Sequence, residues 1–228
     1  LGAWFGSLFG KEGKDFKRRM GAHNPDTQMG WFIILGTMPI LIAGLLFKHA
    51  IEGSLRNLWI TVTVLALFGV LLWVVDARSK QVKTMKEMTC KDALIFGIGQ
   101  MLALIPGVSL SGGTITFGRA MGYTREAAVR VSFLMAIPAV FGAGILEAVS
   151  AVKDVAAGDA GMFAGWGPTI AAAIVAFVVG YVVIIGFLKF VSTFSYKAFA
   201  IYRIGLAIVV ALLLITGVLS PLEAAAAA

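Results

Sequence analysis

Residues 106–114 read Pro-Gly-Val-Ser-Leu-Ser-Gly-Gly-Thr and interrupt an uncharged run over 93–118. Three glycines, a proline and two serines fall within eight of these residues, a composition that favours a break in a helix. In lipid, unpaired backbone groups cost several kcal/mol each, so such a break is stable only inside protein or beside a wet cavity. The stretch therefore predicts a re-entrant helical hairpin over 92–120, in which two half-helices meet at a turn.

Around this hairpin the chain has the composition of a membrane protein. Of its 228 residues, 59% are apolar and only 14% are charged, with a mean hydropathy of +0.92. A water-soluble globule is therefore excluded. Since about 20 apolar residues cross a bilayer, uncharged runs predict membrane helices. Besides the hairpin run, they occur at 31–47, 58–75, 131–146, 161–188 and 204–222.

The expected fold class is an all-α polytopic membrane protein with about six membrane helices plus the hairpin. The sixth helix is expected at the N-terminus, because the chain starts inside an apolar stretch at Leu1. We expect one integral membrane domain over 1–221. Residues 222–228, which end in five alanines, are interpreted as a tag scar or as unassigned residues.

The distribution of basic residues favours the hairpin over a single kinked spanning helix. With the hairpin, the loops on one side carry fifteen Lys and Arg residues and those on the other side three. If 92–120 crossed the membrane, the ratio would be eleven to seven. The positive-inside rule therefore predicts the hairpin and places the basic loops in the cytoplasm. It also explains the excess of 19 basic over 12 acidic residues without nucleic-acid binding.

The break can also do chemistry. Glycines let successive amides point inward, hydroxyls add hydrogen-bond donors, and a helix restarting near Thr114 would aim its positive end at the turn. These features are typical of a phosphate cradle. The predicted phosphate-binding residues are Gly107, Ser109, Ser111, Gly112, Gly113 and Thr114. The alternative is a purely structural break in which Ser109 and Ser111 satisfy backbone carbonyls.

Five stretches carry a resemblance to a known family. They are PGVSLSGGT (106–114), GYTREAA (122–128), RVSFLMAIP (130–138), LGTMPILIAGLLF (35–47) and FAIYR (199–203). With this spacing the chain resembles the bacterial undecaprenyl-diphosphate phosphatases, the BacA/UppP family. The resemblance implies hydrolysis of a C55 polyprenyl diphosphate to the monophosphate lipid carrier of cell-wall synthesis, and a link to bacitracin resistance. It also implies an inverted repeat with a re-entrant pair in each half, of which half is preserved here.

The resemblance further implies a divalent cation, Mg or Ca, although no cluster of acidic residues marks a metal site. The nucleophile is left open between Ser109, Ser111 and a water molecule. Arg203, in the FAIYR match, is expected to contact phosphate or a structural carboxylate, with snorkelling to the interface as the alternative. Arg119, Arg125 and Glu126, which flank the hairpin exit, are expected to form salt bridges or to set the topology, with diphosphate recognition as the alternative. His23 and His49 fall on no matched motif position.

The chain departs from the family pattern at two points. The pattern PGxSRSGxT places an arginine where this chain has Leu110, and leucine lacks the charged fork that suits phosphate oxygens. Its loss is expected to lower the rate by about 10² to 10⁴ and to inactivate the chain. The family's first, glutamate-rich signature has no counterpart in this sequence.

The expected partners are the polyprenyl diphosphate substrate and membrane lipids, with a homodimer left open, in the bacterial inner (plasma) membrane. The alternative function is a lipid-phosphate transporter or flippase, because broken helices at the midplane are also a transporter design. Leu110 slightly favours that alternative, since binding without hydrolysis needs no transition-state clamp.

Overall fold

The computed structural model describes residues 25–156, 165–193 and 195–221. These residues form eight helices, and no strand occurs within the described ranges. The helices are α1 (Pro25–Leu46), α2 (Lys48–Glu52), α3 (Leu58–Arg78), α4 (Cys90–Met101), α5 (Leu110–Ala120), α6 (Arg125–Ala156), α7 (Trp166–Thr193) and α8 (Lys197–Ile215). Single 3₁₀ turns lie at Ser54–Arg56, Met85–Glu87 and Leu102–Leu104.

Five of these helices are long and apolar enough to cross a membrane: α1, α3, α6, α7 and α8. Their large apolar side chains face outward, as Leu45 and Phe177 do with 71% and 74% of their surface exposed. Such exposure is stable in lipid and not in water. The protein is therefore an all-α polytopic membrane protein, as the composition predicted. The sixth helix expected at the N-terminus lies outside the described residues, and so does the tail 222–228.

The segment 92–120 forms the predicted hairpin and not a kinked spanning helix. Its two legs, α4 and α5, pack against each other, and the start of one lies beside the end of the other. There the Tyr123 hydroxyl donates to Asp92 Oδ2 at 2.9 Å. The preceding loop joins the same end, because the amides of Val82 and Lys83 both donate to the carbonyl of Gly122. Both ends of the hairpin therefore lie together, beside the basic loop 79–89.

The expected restart of the second leg near Thr114 was wrong, because α5 begins four residues earlier, at Leu110. Ser109 precedes it, and its Oγ accepts the Gly112 amide at 3.2 Å. A serine in this N-cap position satisfies one of the amides that a helix leaves unpaired at its start. Residues 111–114 are therefore part of a helix instead of a loop.

Glycines allow the close packing of the hairpin. A side chain on Gly113 would overlap the Gly99 carbonyl, so the two legs touch backbone to backbone. On the other side of α4, a side chain on Gly97 would overlap the Gly36 carbonyl of α1. In membrane proteins small residues permit this approach between helices. The hairpin thus packs closely against protein on these two faces.

Helices α1 and α6 also meet in the structure. The Met135 side chain of α6 occupies the space in front of Gly36 of α1. Both residues are buried. The upstream hairpin that an inverted repeat requires stays a prediction.

Candidate functional site

The hairpin turn, defined here as residues 105–109, connects α4 to α5. After the 3₁₀ turn Leu102–Leu104, the chain reverses direction at Pro106 and Gly107. Gly107 has a φ of +100°, and a side chain there would meet the Thr61 carbonyl of α3 at 2.5 Å. Glycine is therefore required at this position for its backbone conformation and for space.

Ser109 is strained and exposed at the end of the turn. Its φ is +73°, one of two positive values at non-glycine residues within the described ranges, the other being at Gln81. Residues held in such regions cost about 1–3 kcal/mol and cluster at functional sites. With this backbone conformation the chain enters α5 directly after Ser109. The Ser109 hydroxyl therefore lies at the positive end of that helix.

The backbone amides at the start of α5 provide the anion-binding capacity that the sequence predicted. In the described part of the chain, the amides of Ser109, Leu110 and Ser111 have no hydrogen-bond partner. The next two amides are engaged within the chain, since Gly112 donates to Ser109 Oγ and Gly113 donates to the Ser109 carbonyl at 2.9 Å. Three free amides at a helix N-terminus suit a phosphate oxygen.

The remaining predicted hydroxyls differ in availability. Thr114 is fully buried, and its hydroxyl donates to the Leu110 carbonyl at 2.7 Å, so its proton is not available to a ligand. Ser111 is half-buried in the first turn of α5. Of the three predicted hydroxyls, Ser109 is the most exposed and the one at the apex of the hairpin.

Arg203 reaches the hairpin turn from α8. Its Nη2 donates to the Val108 carbonyl at 2.9 Å and also to the Gly107 carbonyl. The residue is 8% exposed, which rules out the snorkelling alternative. Its contacts are backbone carbonyls and not the structural carboxylate that was the other option. Within the described residues its Nε has no partner, and its Nη1 fills the space that a side chain on Gly112 would need.

The contact between Arg203 and Val108 also orients the turn. In a planar trans peptide the C=O and the N–H point in opposite directions. Because the Val108 carbonyl points at Arg203, the Ser109 amide points away from it. The arginine therefore lies on the side of this peptide opposite the Ser109 amide.

Leu110 lies half-buried at the first position of α5, directly between the two serines. An arginine there would start from the same helix end as the free amides. Leucine has no charge, so position 110 contributes none to the site. The cationic side chain at the hairpin turn is Arg203.

A second polar cluster lies at the other end of the hairpin, around Asp76. The Asp76 carboxylate accepts from Arg119 Nε at 2.8 Å and from Arg125 Nη2 at 3.0 Å. It also accepts from the Tyr196 amide at 3.3 Å. The prediction that Arg119 and Arg125 form salt bridges is confirmed. Asp76 was not predicted as their partner, because 43 residues separate it from Arg119 and no motif links them.

Asp92 is the other buried carboxylate at this end. It accepts from Lys83 Nζ at 3.0 Å and from the Tyr123 hydroxyl, and it caps the start of α4. Burial, followed by hydrogen bonding to Asp92, raises the pKa of Tyr123, so the phenol keeps its proton and remains a donor. Asp76 and Asp92 are thus both engaged with side-chain donors.

The donor set at the turn does not suit a divalent cation. Mg²⁺ and Ca²⁺ prefer carboxylate and carbonyl oxygens. The turn offers amides, hydroxyls and a guanidinium, and no group of three His, Cys, Asp or Glu residues occurs in the part of the chain that the structure describes. The described residues therefore match an anion better than a metal ion. His23 lies outside them, and His49 lies on the short helix α2.

Gln100 lies in the first leg of the hairpin, outside the matched family motifs. It is fully buried in α4, and neither atom of its side-chain amide has a partner within the described ranges. The sequence signal that marks it is its polarity within the uncharged run 93–118.

Comparisons with known proteins agree with the motif analysis. Residues 3–209 match the family described as bacitracin resistance protein BacA. The chain is 89% identical over all 228 residues to the undecaprenyl-diphosphatase of Bifidobacterium adolescentis and covers 78% of that protein. It is 74% identical over 223 residues, 98% of the chain, to that of Bifidobacterium animalis subsp. lactis, covering 75% of it. The undecaprenyl-diphosphatase of Pseudarthrobacter chlorophenolicus is 50% identical over 219 residues, 96% of the chain and 75% of the relative.

Proposed function

Because this chain belongs to the BacA family of bacitracin resistance proteins, we propose that it hydrolyses undecaprenyl diphosphate to undecaprenyl phosphate and inorganic phosphate. Its close relatives carry the name undecaprenyl-diphosphatase. The observation that carries the proposal for this chain is the turn itself, where free amides, a strained serine and a buried arginine meet among apolar helices.

The lipid diphosphate has two chemically different parts, and the protein has a surface for each. The polyprenyl tail is hydrocarbon and mixes with the apolar side chains on the outside of the five long helices. The diphosphate is a polyanion and needs donors. The Ser109, Leu110 and Ser111 amides and the positive end of α5 would bind its oxygens.

In the reaction, an oxygen nucleophile attacks the terminal phosphorus and the P–O bond to the bridging oxygen breaks. The bridging oxygen stays with undecaprenyl phosphate. Either a water molecule attacks directly, or a serine hydroxyl attacks and water then releases phosphate from the serine. We propose Ser109 over Ser111 as the serine nucleophile, because Ser109 is exposed at the apex and Ser111 is half-buried in α5.

Arg203 would add positive charge from the side of the turn opposite the Ser109 amide and would hold that amide towards the diphosphate. Its Nη2 is used on the hairpin turn, whereas its Nε has no partner within the described residues. Gly112 lets Arg203 approach the start of α5, whereas the space beside Gly107 is taken by the Thr61 carbonyl and that beside Gly113 by the Gly99 carbonyl. A divalent cation, as the family resemblance implies, would neutralise the diphosphate. The described residues offer it no carboxylate cluster, so we derive no step through it.

Leu110 would reduce the rate of this chain. A charged fork at a phosphoryl-transfer site contributes about 10² to 10⁴ in rate through transition-state stabilisation. Arg203 partly replaces the positive charge that is missing at position 110, although it lies on the other side of the turn. We therefore propose a hydrolase of low turnover, located in the bacterial plasma membrane with its basic loops in the cytoplasm.

The test is phosphate release from undecaprenyl or farnesyl diphosphate by the purified protein in detergent. The native form and the Leu110→Arg form are measured together. We expect slow release from the native form and faster release with arginine. Thr63→Ala removes an exposed hydroxyl from α3 and serves as the control.

The same preparation tests the transporter alternative. No release in either form, combined with exchange of a lipid phosphate between leaflets of reconstituted vesicles, would contradict hydrolysis and support transport. The names of the relatives favour hydrolysis.

A further inference from the structure

Asp76 joins the ends of four helices. It lies in the last turn of α3, Arg119 in the last turn of α5, Arg125 at the first position of α6 and Tyr196 directly before α8. All three partners donate to its carboxylate. One side chain thus sets the relative positions of α3, α5, α6 and α8 at this end of the protein.

Most donors in this cluster already bind groups of the chain itself, which argues against a second anion site. Arg119 is fully buried and also donates to the backbone carbonyls of Asp76 and Tyr123. Arg125 directs both Nε and Nη2 at Asp76, and the Tyr196 hydroxyl donates to the Arg125 carbonyl at 3.1 Å. A ligand would have to displace these bonds. The cluster therefore fixes the positions of the helix ends and is not a substrate-binding site.

Three of the four helices meet again at the hairpin turn. Thr61 of α3 contacts Gly107, α5 begins directly after Ser109, and α8 carries Arg203. Helices are stiff rods with a rise of 1.5 Å per residue. The distances along the helices from the Asp76 cluster to the turn are therefore about 22 Å in α3, 14 Å in α5 and 10 Å in α8.

We propose that Asp76 is a positioning residue for phosphate release, which rests on the proposed function. Its carboxylate fixes α3, α5 and α8 relative to one another, and so holds Arg203 against Val108 and keeps the amides after Ser109 directed at the diphosphate. A displacement of about 1 Å at a reacting centre costs up to about 10² in rate, so a small shift at Asp76 suffices to lower turnover.

The decisive substitution is Asp76→Glu. It keeps the charge that Arg119 needs and lengthens the side chain by one methylene. We expect kcat for phosphate release to fall about 10-fold or more, with KM changed less than about threefold and the melting temperature nearly constant. Kinetics are measured in both the native and the Leu110→Arg full-length protein. Glu126→Gln is the matched control, because it removes an exposed ion pair with Arg130 near the same end of α6.

A double-mutant cycle separates positioning from general stability. If Asp76 acts through α8, Asp76→Glu should lower kcat far less in an Arg203→Gln background than in the parent. In that background the contact between Arg203 and the Val108 carbonyl, which Asp76 positions, is already lost. An equal loss in both backgrounds would overturn the proposal. So would unchanged kcat in a folded Asp76→Glu protein.

A labelling experiment keeps the inference testable even if the proposed hydrolysis fails. Ser109→Cys is introduced together with Cys90→Ser, because Cys90 is exposed and would react. We expect Asp76→Glu to change the rate of maleimide labelling at position 109 by more than about threefold, and Glu126→Gln to leave it constant. An equal labelling rate with Asp76 and with glutamate would contradict positioning. Absence of phosphate release from the parent would contradict only the proposed function.

Discussion

Arg203 Nη2 lies 2.9 Å from the Val108 carbonyl oxygen and thereby ties α8 to the turn of the re-entrant hairpin. The bond gives a hydrogen-bond partner to a carbonyl that lies in the turn, outside the helices. It also orients the peptide so that the Ser109 amide faces away from the arginine. A charge that deep in a membrane protein is costly unless it has a function or a partner. Here it organises the surface that we assign to the diphosphate.

Arg203→Lys should lower phosphate release about 10- to 100-fold, because lysine is a point charge that lacks the planar fork. Arg203→Gln should lower it further. The measurement is the initial rate of phosphate release, with Lys197→Gln on the same helix as the control. Full activity in Arg203→Gln would contradict a role for this side chain.

Leu110→Arg should raise the rate by about 10² to 10⁴, since it restores a charge-assisted clamp at the start of α5. Leu110→Lys should recover less, and Leu110→Met should resemble the native form. The ratio of kcat/KM values measures the effect. Equal rates for the leucine and arginine forms would show that position 110 does not contact the transition state.

Ser109→Gly separates the effect of the strained backbone from the role of the hydroxyl in hydrolysis. Glycine adopts the positive φ without cost and keeps the backbone amide, so the protein should remain as stable as the native form despite the lost cap. Phosphate release should nevertheless fall to background if Ser109 is the nucleophile. Ser111→Ala should retain most of the activity, and the reverse ranking would make Ser111 the nucleophile.

Gly99→Ala should destabilise the hairpin by about 1–3 kcal/mol, because the added methyl group would meet the Gly113 carbonyl at 2.9 Å. Gly144→Ala in α6 is the matched control, since nothing lies within 4 Å of the added atom. Thermal unfolding in detergent measures both. Equal melting temperatures for the two variants would contradict the backbone contact between the hairpin legs.

Much of the architecture could be predicted from the sequence because hydropathy and glycine content act locally. The uncharged runs predicted the five long helices, and the glycines and serines of 106–114 predicted the break. The start of α5 was misplaced because the glycines at 112 and 113 suggested continued loop structure. The cap that Ser109 forms with Gly112 outweighs their low helix propensity.

The contacts between distant residues could not be predicted in the same way. Asp76 and Arg119 are 43 residues apart, and Arg203 is 95 residues from Val108. Only packing of the helices brings them together. The sequence marked Arg119 and Arg203 as charges that need a partner or a cavity, but it could not identify Asp76 or the turn carbonyls as those partners.

In the proposed mechanism, the amides of Ser109, Leu110 and Ser111 bind the diphosphate. Hydrogen–deuterium exchange of the full-length protein, with and without farnesyl diphosphate, measures this directly. We expect slower exchange on a peptide covering 105–114, and no change on one covering the end of α6. Unchanged exchange at 105–114 under conditions where the substrate is hydrolysed would contradict it.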